Sequence, residues 1–119
     1  MRCVVKAAGL IAVTDADYSV MTSHPANAEI ENWLATYHAV ADALGAQPDA
    51  GRPLLASANP AGPPDVGSSA GAWCFDTPEK RAWWGGLSAE RIAQSDVATH
   101  AFRNGLASRE QLEQMAAAC

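Results

Sequence analysis

The chain has 119 residues, a net charge of −5 and a pI near 4.9, and 49% of its residues are hydrophobic. Much of that apolar content is alanine, since only 20 residues are Leu, Ile, Val or Phe. This composition predicts at most one domain, with a weak core, because alanine brings little apolar area to burial. The sequence contains no cluster of Lys and Arg residues, so binding to nucleic acid is not predicted. No apolar run approaches the ~18 residues of a membrane helix.

The cysteines and the N-terminal residues bear on compartment and on metals. Cys3, Cys74 and Cys119 are widely separated and form no C-x-x-C pair, so neither a disulfide framework nor a zinc site is predicted. The start, MRCVVKAAGLIAV, contains a short apolar run, but no A-x-A cleavage site follows it. We therefore expect a cytoplasmic chain with free thiols and no bound metal.

The first two predicted elements are a strand and a long helix. Residues 9–14 (GLIAVT) form a short run with β-branched residues, typical of a strand covered on both faces in a parallel sheet. In residues 27–44 the apolar side chains recur at three- and four-residue steps, which predicts an amphipathic helix. Asn27 suits the N-cap of this helix, and Gly45 suits its C-terminal stop.

The next two elements are weaker. Residues 52–58 (RPLLASA) predict a short helix, because Pro53 is tolerated in a first turn. Residues 66–75 (VGSSAGAWCF) predict a poor strand, since glycine and serine have low β-propensity.

The remainder, residues 77–119, predicts helices. Asp76 and Glu79 flank a Thr-Pro pair in the pattern of a helix start, with Asp76 as the cap. Ser108 and Gln111 have the spacing of a capping box that opens a final helix.

Two stretches resemble a known family. AAGLIAVTDADY, residues 7–18, and WCFDTPEKRAWWGGL, residues 73–87, are similar to class I S-adenosylmethionine-dependent methyltransferases, in the group related to ubiquinone and menaquinone C-methyltransferases. The likeness runs from about Gly9 to near the C-terminus. In that family the first stretch is the fifth strand of a seven-stranded sheet. The resemblance therefore implies an α/β fold: a single partial domain over residues 1–119, an incomplete Rossmann-like fragment that is mostly helical with one or two strands.

The chain departs from this family at the cofactor. The glycine-rich loop that holds the methionine end of S-adenosylmethionine has no counterpart here, because the only glycine before Gly45 is Gly9. The resemblance thus implies the C-terminal half of an enzyme that transfers a methyl group from S-adenosylmethionine to a small-molecule acceptor, inactive as an isolated chain. No cofactor-binding residue is assigned. The alternative function is a non-catalytic remnant or a protein-interaction module.

The resemblance also suggests catalytic residues. Asp17 and Tyr18 would lie beside the acceptor pocket, where a carboxylate can orient or deprotonate an acceptor atom. Two other interpretations of Asp15 and Asp17 stay open: a solvated pair that starts a turn, and the D-x-D metal pair of a glycosyltransferase. His24, in the loop that follows, is a third catalytic candidate as a base near neutral pH, or else an exposed loop histidine.

Aromatic residues supply the substrate-binding candidates, which are Trp33, Tyr37 and Trp84. Helices in this region cover the acceptor site in the related enzymes, whereas the plainer interpretation is core packing. If the sheet is incomplete, Trp83 and Trp84 form an exposed apolar patch that favours self-association. The partners expected are therefore an acceptor molecule if the chain is active, a second copy, or a missing N-terminal half that complements it.

Overall fold

The computed structural model describes residue 6, residues 9–59 and residues 65–119, and the regular structure in these ranges is helical. The helices in chain order are α1 Ala28–Ala43, α2 Leu54–Ala58, α3 Pro78–Gln94, α4 Asp96–Arg103 and α5 Arg109–Ala118. A 3-10 turn, Tyr18–Val20, precedes α1. Cys3 and the Ala7-Ala8 start of the first family-like stretch lie outside the described residues.

The predicted α/β fold is wrong for the part of the chain that the structure describes, because no strand or sheet forms there. Residues 9–14 have no regular secondary structure, and the Leu10 side chain is 90% exposed. Residues 66–75 are irregular as well. A strand is stable only when its backbone groups pair with a neighbouring strand, and neither segment has such a neighbour within the described ranges. The expected Rossmann-like fragment is therefore replaced by a helical architecture.

Local sequence sets the ends of α1. The Asn27 side chain accepts hydrogen bonds from the backbone N–H groups of Glu29 and Ile30, at 2.9 and 3.4 Å. Gly45, just beyond the other end, has a φ of 68°, a left-handed conformation that favours glycine. Both the predicted N-cap and the predicted stop are confirmed.

The N-termini of α3 and α5 show one correction and one confirmation. Thr77 caps α3, one residue later than predicted, and its hydroxyl accepts from the Lys80 N–H at 3.3 Å. The Asp76 carboxylate instead accepts from the Lys80 ammonium at 2.6 Å. At α5 the predicted capping box forms, with reciprocal Ser108–Gln111 hydrogen bonds of 2.7 and 3.1 Å.

The core lies where α3 and α5 pack on each other and where α1 and α4 each contact that pair. Its buried apolar side chains are Val40, Ala41, Ile92, Ala98, Ala101, Ala107, Leu112 and Met115. Half of these are alanine, so the helices approach closely but bury little apolar area per residue. The hydrophobic contribution to stability is correspondingly small.

Much of the chain extends away from this core. The radius of gyration is 17.5 Å, above the roughly 13.5 Å expected for a compact domain of this length. Within the ranges described above, no helix is both long enough and apolar enough to cross a membrane.

Candidate functional site

The residues before α1 dock on the loop between α1 and α2. The Gly51 N–H donates to the Ala16 carbonyl at 2.9 Å. A Cβ atom at Gly51 would lie only 2.7 Å from the carbonyl oxygen of Asp15, so the two backbones approach this closely because residue 51 is glycine. This approach brings Asp17 and Tyr18, two of the predicted catalytic residues, against the loop.

The Asp17 carboxylate is held by Arg52. The guanidinium donates through Nε to Asp17 Oδ2 at 2.9 Å and through Nη2 to Asp17 Oδ1 at 3.1 Å, a bidentate pair. The same Nη2 donates to the Ser19 hydroxyl at 3.1 Å. Asp17 raises the pKa of Arg52 through this hydrogen bond. Arg52 therefore holds the Asp17 carboxylate in one orientation against the loop.

His38 and Asp49 form a second contact between α1 and the loop. His38 Nδ1 lies 2.8 Å from the Leu34 carbonyl oxygen, and Nε2 lies 3.2 Å from Asp49 Oδ1. Because both ring nitrogens face acceptors, this geometry is satisfied by the doubly protonated imidazolium. The Asp49 carboxylate also accepts from the Ser19 N–H at 2.8 Å.

These contacts bring Ser19, His38 and Asp49 together without making a nucleophilic triad. In a triad a histidine nitrogen accepts the serine proton, but both nitrogens of His38 already face other acceptors. The Ser19 hydroxyl donates to Asp17 at 3.0 Å instead. The network therefore positions the backbone and provides no activated serine.

Tyr18, Trp33 and Tyr37 form an aromatic cluster on α1. The rings of Trp33 and Tyr37 stack with centroids 5.8 Å apart, and the Tyr18 ring lies 4.9 Å from Tyr37 and 6.4 Å from Trp33. All three side chains are half-buried. Burial raises the pKa of the Tyr37 hydroxyl. This packing attaches the residues before α1 to its surface.

The other two predicted site residues lie elsewhere. His24 is exposed in the loop before α1. Trp84 is on α3, where it contacts Trp73, Phe75 and Trp83. The structure thus brings together four of the six predicted residues: Asp17, Tyr18, Trp33 and Tyr37.

We call the group of Trp73, Phe75, Trp83 and Trp84 the aromatic surface. Phe75 stacks on Trp84 with centroids 4.8 Å apart, and Trp73 meets the Trp84 ring edge-on at 6.3 Å. Trp73 and Trp83 nevertheless remain 79% and 61% exposed. The folded chain therefore leaves a contiguous group of aromatic rings in contact with solvent.

The Asp15-x-Asp17 pair does not converge on a common point. Asp15 Oδ1 accepts from the Ala16 N–H at 2.8 Å, a local turn contact, whereas Asp17 pairs with Arg52. In the described part of the chain, no three His, Cys, Asp or Glu side chains are grouped as metal ligands.

Two of the cavities formed by the described residues border the helices, and both are small. One of about 270 Å³ lies between α1 and α5, lined partly by Asn32 and Gln114. The other, of about 230 Å³, adjoins His38, Asp42 and Asp49. Ligand pockets commonly measure roughly 300 to 1,000 Å³, so neither cavity has the size typical of a cofactor site.

Sequence reasoning did not find Arg52, His38, Asp49 and Ser19 as members of this network. Arg52 is 35 residues from Asp17, and Asp49 is 30 residues from Ser19. No local spacing indicates such pairs. The one available signal was the lone histidine on an otherwise acidic helix, since α1 carries Glu29, Glu31 and Asp42 and no Lys or Arg.

The contact between His38 and Asp49 predicts a pH dependence. The pKa of His38 is raised above 6.5 by its hydrogen bond to the Leu34 carbonyl and then by Asp49. Its stabilising effect is therefore full below pH 6.5 and is lost as the pH rises through the folded-state pKa. Hydrogen bonds from Ser19 and then His38 lower the pKa of Asp49 from 3.8 to about 2. The Asp49 contribution is present above pH 3.8 and is lost as the pH falls towards 2. The contact between His38 and Asp49 is therefore strongest between pH 3.8 and pH 6.5.

An NMR titration of the His38 ring checks this prediction. We expect a pKa above 6.5, and a lower value in the Asp49→Asn variant. Asp42→Asn is the control, because Asp42 acts on His38 only through the smallest of the charge effects. Equal pKa values in all three proteins would contradict the geometry.

Comparisons with protein-family models, with curated proteins and with solved structures find no match to this chain.

Proposed function

We propose that this chain is a non-catalytic protein-interaction module and that the aromatic surface is its contact site. The observation that carries the proposal is the exposure of Trp73 and Trp83 beside the partly buried Phe75 and Trp84. Tryptophan is enriched among the residues that dominate binding energy at protein interfaces. Because these rings are already exposed in the folded chain, a partner can cover them without disturbing the packing within the chain.

The polar network around Asp17 also supports a non-catalytic role. Asp17, the leading catalytic candidate, is engaged by Arg52 and Ser19. Methyl transfer to a small acceptor stays a prediction from the resemblance alone.

Replacing Trp73 and Trp83 together by serine tests the proposal. We expect the folded wild-type chain to enhance the fluorescence of an apolar dye such as anilinonaphthalene sulfonate, and the double variant to lose most of that enhancement. Because both rings are largely exposed, the midpoint of thermal unfolding should move by less than about 5 °C.

Phe102→Ser is the matched control, since Phe102 is an exposed aromatic residue outside the aromatic surface. It should leave dye binding unchanged. A large fall in the unfolding midpoint of the double variant would assign the rings to folding and overturn the proposal. Calorimetry with S-adenosylmethionine is the second measurement, in which binding of micromolar strength would favour the enzyme instead.

A further inference from the structure

We infer that the partner of the aromatic surface is the same surface on a second copy of this chain, related by a two-fold axis. This inference rests on the proposed function and names its partner. Three features of the described residues lead to it: the distribution of charge, the chemistry of the rings and the area that they expose.

Charge permits contact between identical copies at this point of the chain. Residues 73–84 contain two acids, Asp76 and Glu79, and two bases, Lys80 and Arg81, so the net charge of −5 lies entirely outside the segment. The Lys80 ammonium already pairs with Asp76, and Arg81 donates to the Asp76 carbonyl at 2.8 Å. Two acidic chains can therefore meet here without bringing net like charge together.

The rings themselves are self-complementary. A two-fold interface places the same patch on both sides, so side chains near the axis meet their own copies. Charged side chains repel in that position, whereas aromatic rings attract each other in offset-stacked or edge-on arrangements. The aromatic surface already shows both arrangements within one chain, as Phe75 on Trp84 and Trp73 against Trp84.

The exposed area indicates a weak dimer. At up to about 250 Å² for a tryptophan, the exposed parts of Trp73 and Trp83 amount to roughly 350 Å² per chain. A stable interface buries about 800 Å² per partner. The rings thus supply less than half of such an interface, so neighbouring residues must complete it, and we expect a reversible association that depends on concentration.

Sedimentation velocity over a concentration series tests the inference. The average mass of the wild-type chain should rise from 12.4 kDa towards twice that value. The Trp73→Ser/Trp83→Ser variant should dissociate at least tenfold more readily, and Phe102→Ser should behave as wild type. A wild-type chain that stays monomeric up to about 1 mM would overturn the inference, whereas the dye experiment above would still decide whether the aromatic surface is a contact site. An equal loss in Phe102→Ser would overturn it too.

The salt dependence of self-association distinguishes a contact through the aromatic surface from a contact between opposite charges. Raising the salt concentration screens the repulsion between two chains of charge −5, so self-association through rings should strengthen between about 0.05 and 0.5 M NaCl. A contact between the basic residues of α3 and the acidic α1 of another copy would weaken over the same range. Weakening would therefore overturn the inference.

Cys74 reports on the two-fold arrangement. This thiol is exposed between Trp73 and Phe75, so a two-fold axis through the aromatic surface brings both copies of it near each other. In a Cys3→Ser/Cys119→Ser background, a short bis-maleimide should capture a covalent dimer through Cys74. Adding Trp73→Ser/Trp83→Ser should abolish that capture. Self-association without capture would show a different contact and overturn the inference.

Discussion

Replacing Ile92 by alanine is expected to lower the free energy of unfolding by roughly 2 to 5 kcal/mol, the range for removing a buried isoleucine side chain beyond Cβ. Ile92 is only 2% exposed and belongs to the core, together with Val40 and Leu112. Domains of this size are stable by about 5 to 15 kcal/mol, and an alanine-rich core favours the lower end. Chemical denaturation followed by circular dichroism should show a large fall in the midpoint.

Ile11→Ala is the matched control for this prediction. It removes the same atoms from a side chain that is 41% exposed and lies outside the core. We expect a change in unfolding free energy within about 0.5 kcal/mol, as for ordinary surface substitutions. If both variants lost the same stability, the core would not lie where the structure places it.

Gly85→Ala is expected to destabilise the packing of α3 on α5 by about 1 to 3 kcal/mol, the usual cost of overfilling a packed interface. Gly85 is buried, and a Cβ atom there would overlap the backbone carbonyl of Cys119, with the carbonyl carbon only 2.8 Å away. The atoms met belong to the backbone of Cys119, the residue that follows α5, so this residue has to move away from α3. Thermal unfolding by circular dichroism measures the loss.

Gly86→Ala, one residue further along α3, is expected to increase stability. Gly86 is exposed, and a Cβ atom there meets nothing within 4 Å. Alanine is favoured over glycine inside a helix by about 1 kcal/mol, so this variant should gain stability. The same sign for Gly85→Ala and Gly86→Ala would mean that α5 does not pack on α3 at this point.

Helix α3 carries exposed and buried residues close together. The exposed Trp83 precedes the buried Gly85 by two residues, and the buried Ser88 and Ile92 follow in its second half. Substitutions of the exposed tryptophans should therefore have effects separable from substitutions at the buried positions. Ile92→Ala should lower stability, whereas the tryptophan variants should lower self-association in a chain that still folds.

The two segments with wrongly predicted strands show where local patterns stop being informative. Residues 9–14 have the composition of a buried strand, yet a strand exists only through hydrogen bonds to another segment. The Leu10 and Val13 side chains are exposed in the structure. The resemblance to methyltransferases implies a sheet in which residues 9–14 pair with neighbouring strands. The predicted fold class was wrong because the described part of the chain contains no such strands.

The catalytic candidates illustrate the same limit at the level of side chains. The resemblance to methyltransferases points to Asp17 and Tyr18, and the structure places the Tyr18 ring beside Trp33 and Tyr37. The pattern gave no sign that Arg52 would occupy the Asp17 carboxylate from 35 residues away. That ion pair ties Asp17 to the loop between α1 and α2, a contact that the sequence pattern does not indicate.

By itself the sequence determined the features that depend on neighbours along the chain: the Asn27 cap, the stop at Gly45, and the capping box of Ser108 with Gln111. Each is a contact between a side chain and backbone groups within a few residues, or a backbone angle that glycine adopts freely. Only the tertiary structure decided which apolar residues are buried and which tryptophans stay in water. Burial is a relation between distant segments, and an alanine-rich chain covers only some of its large apolar side chains.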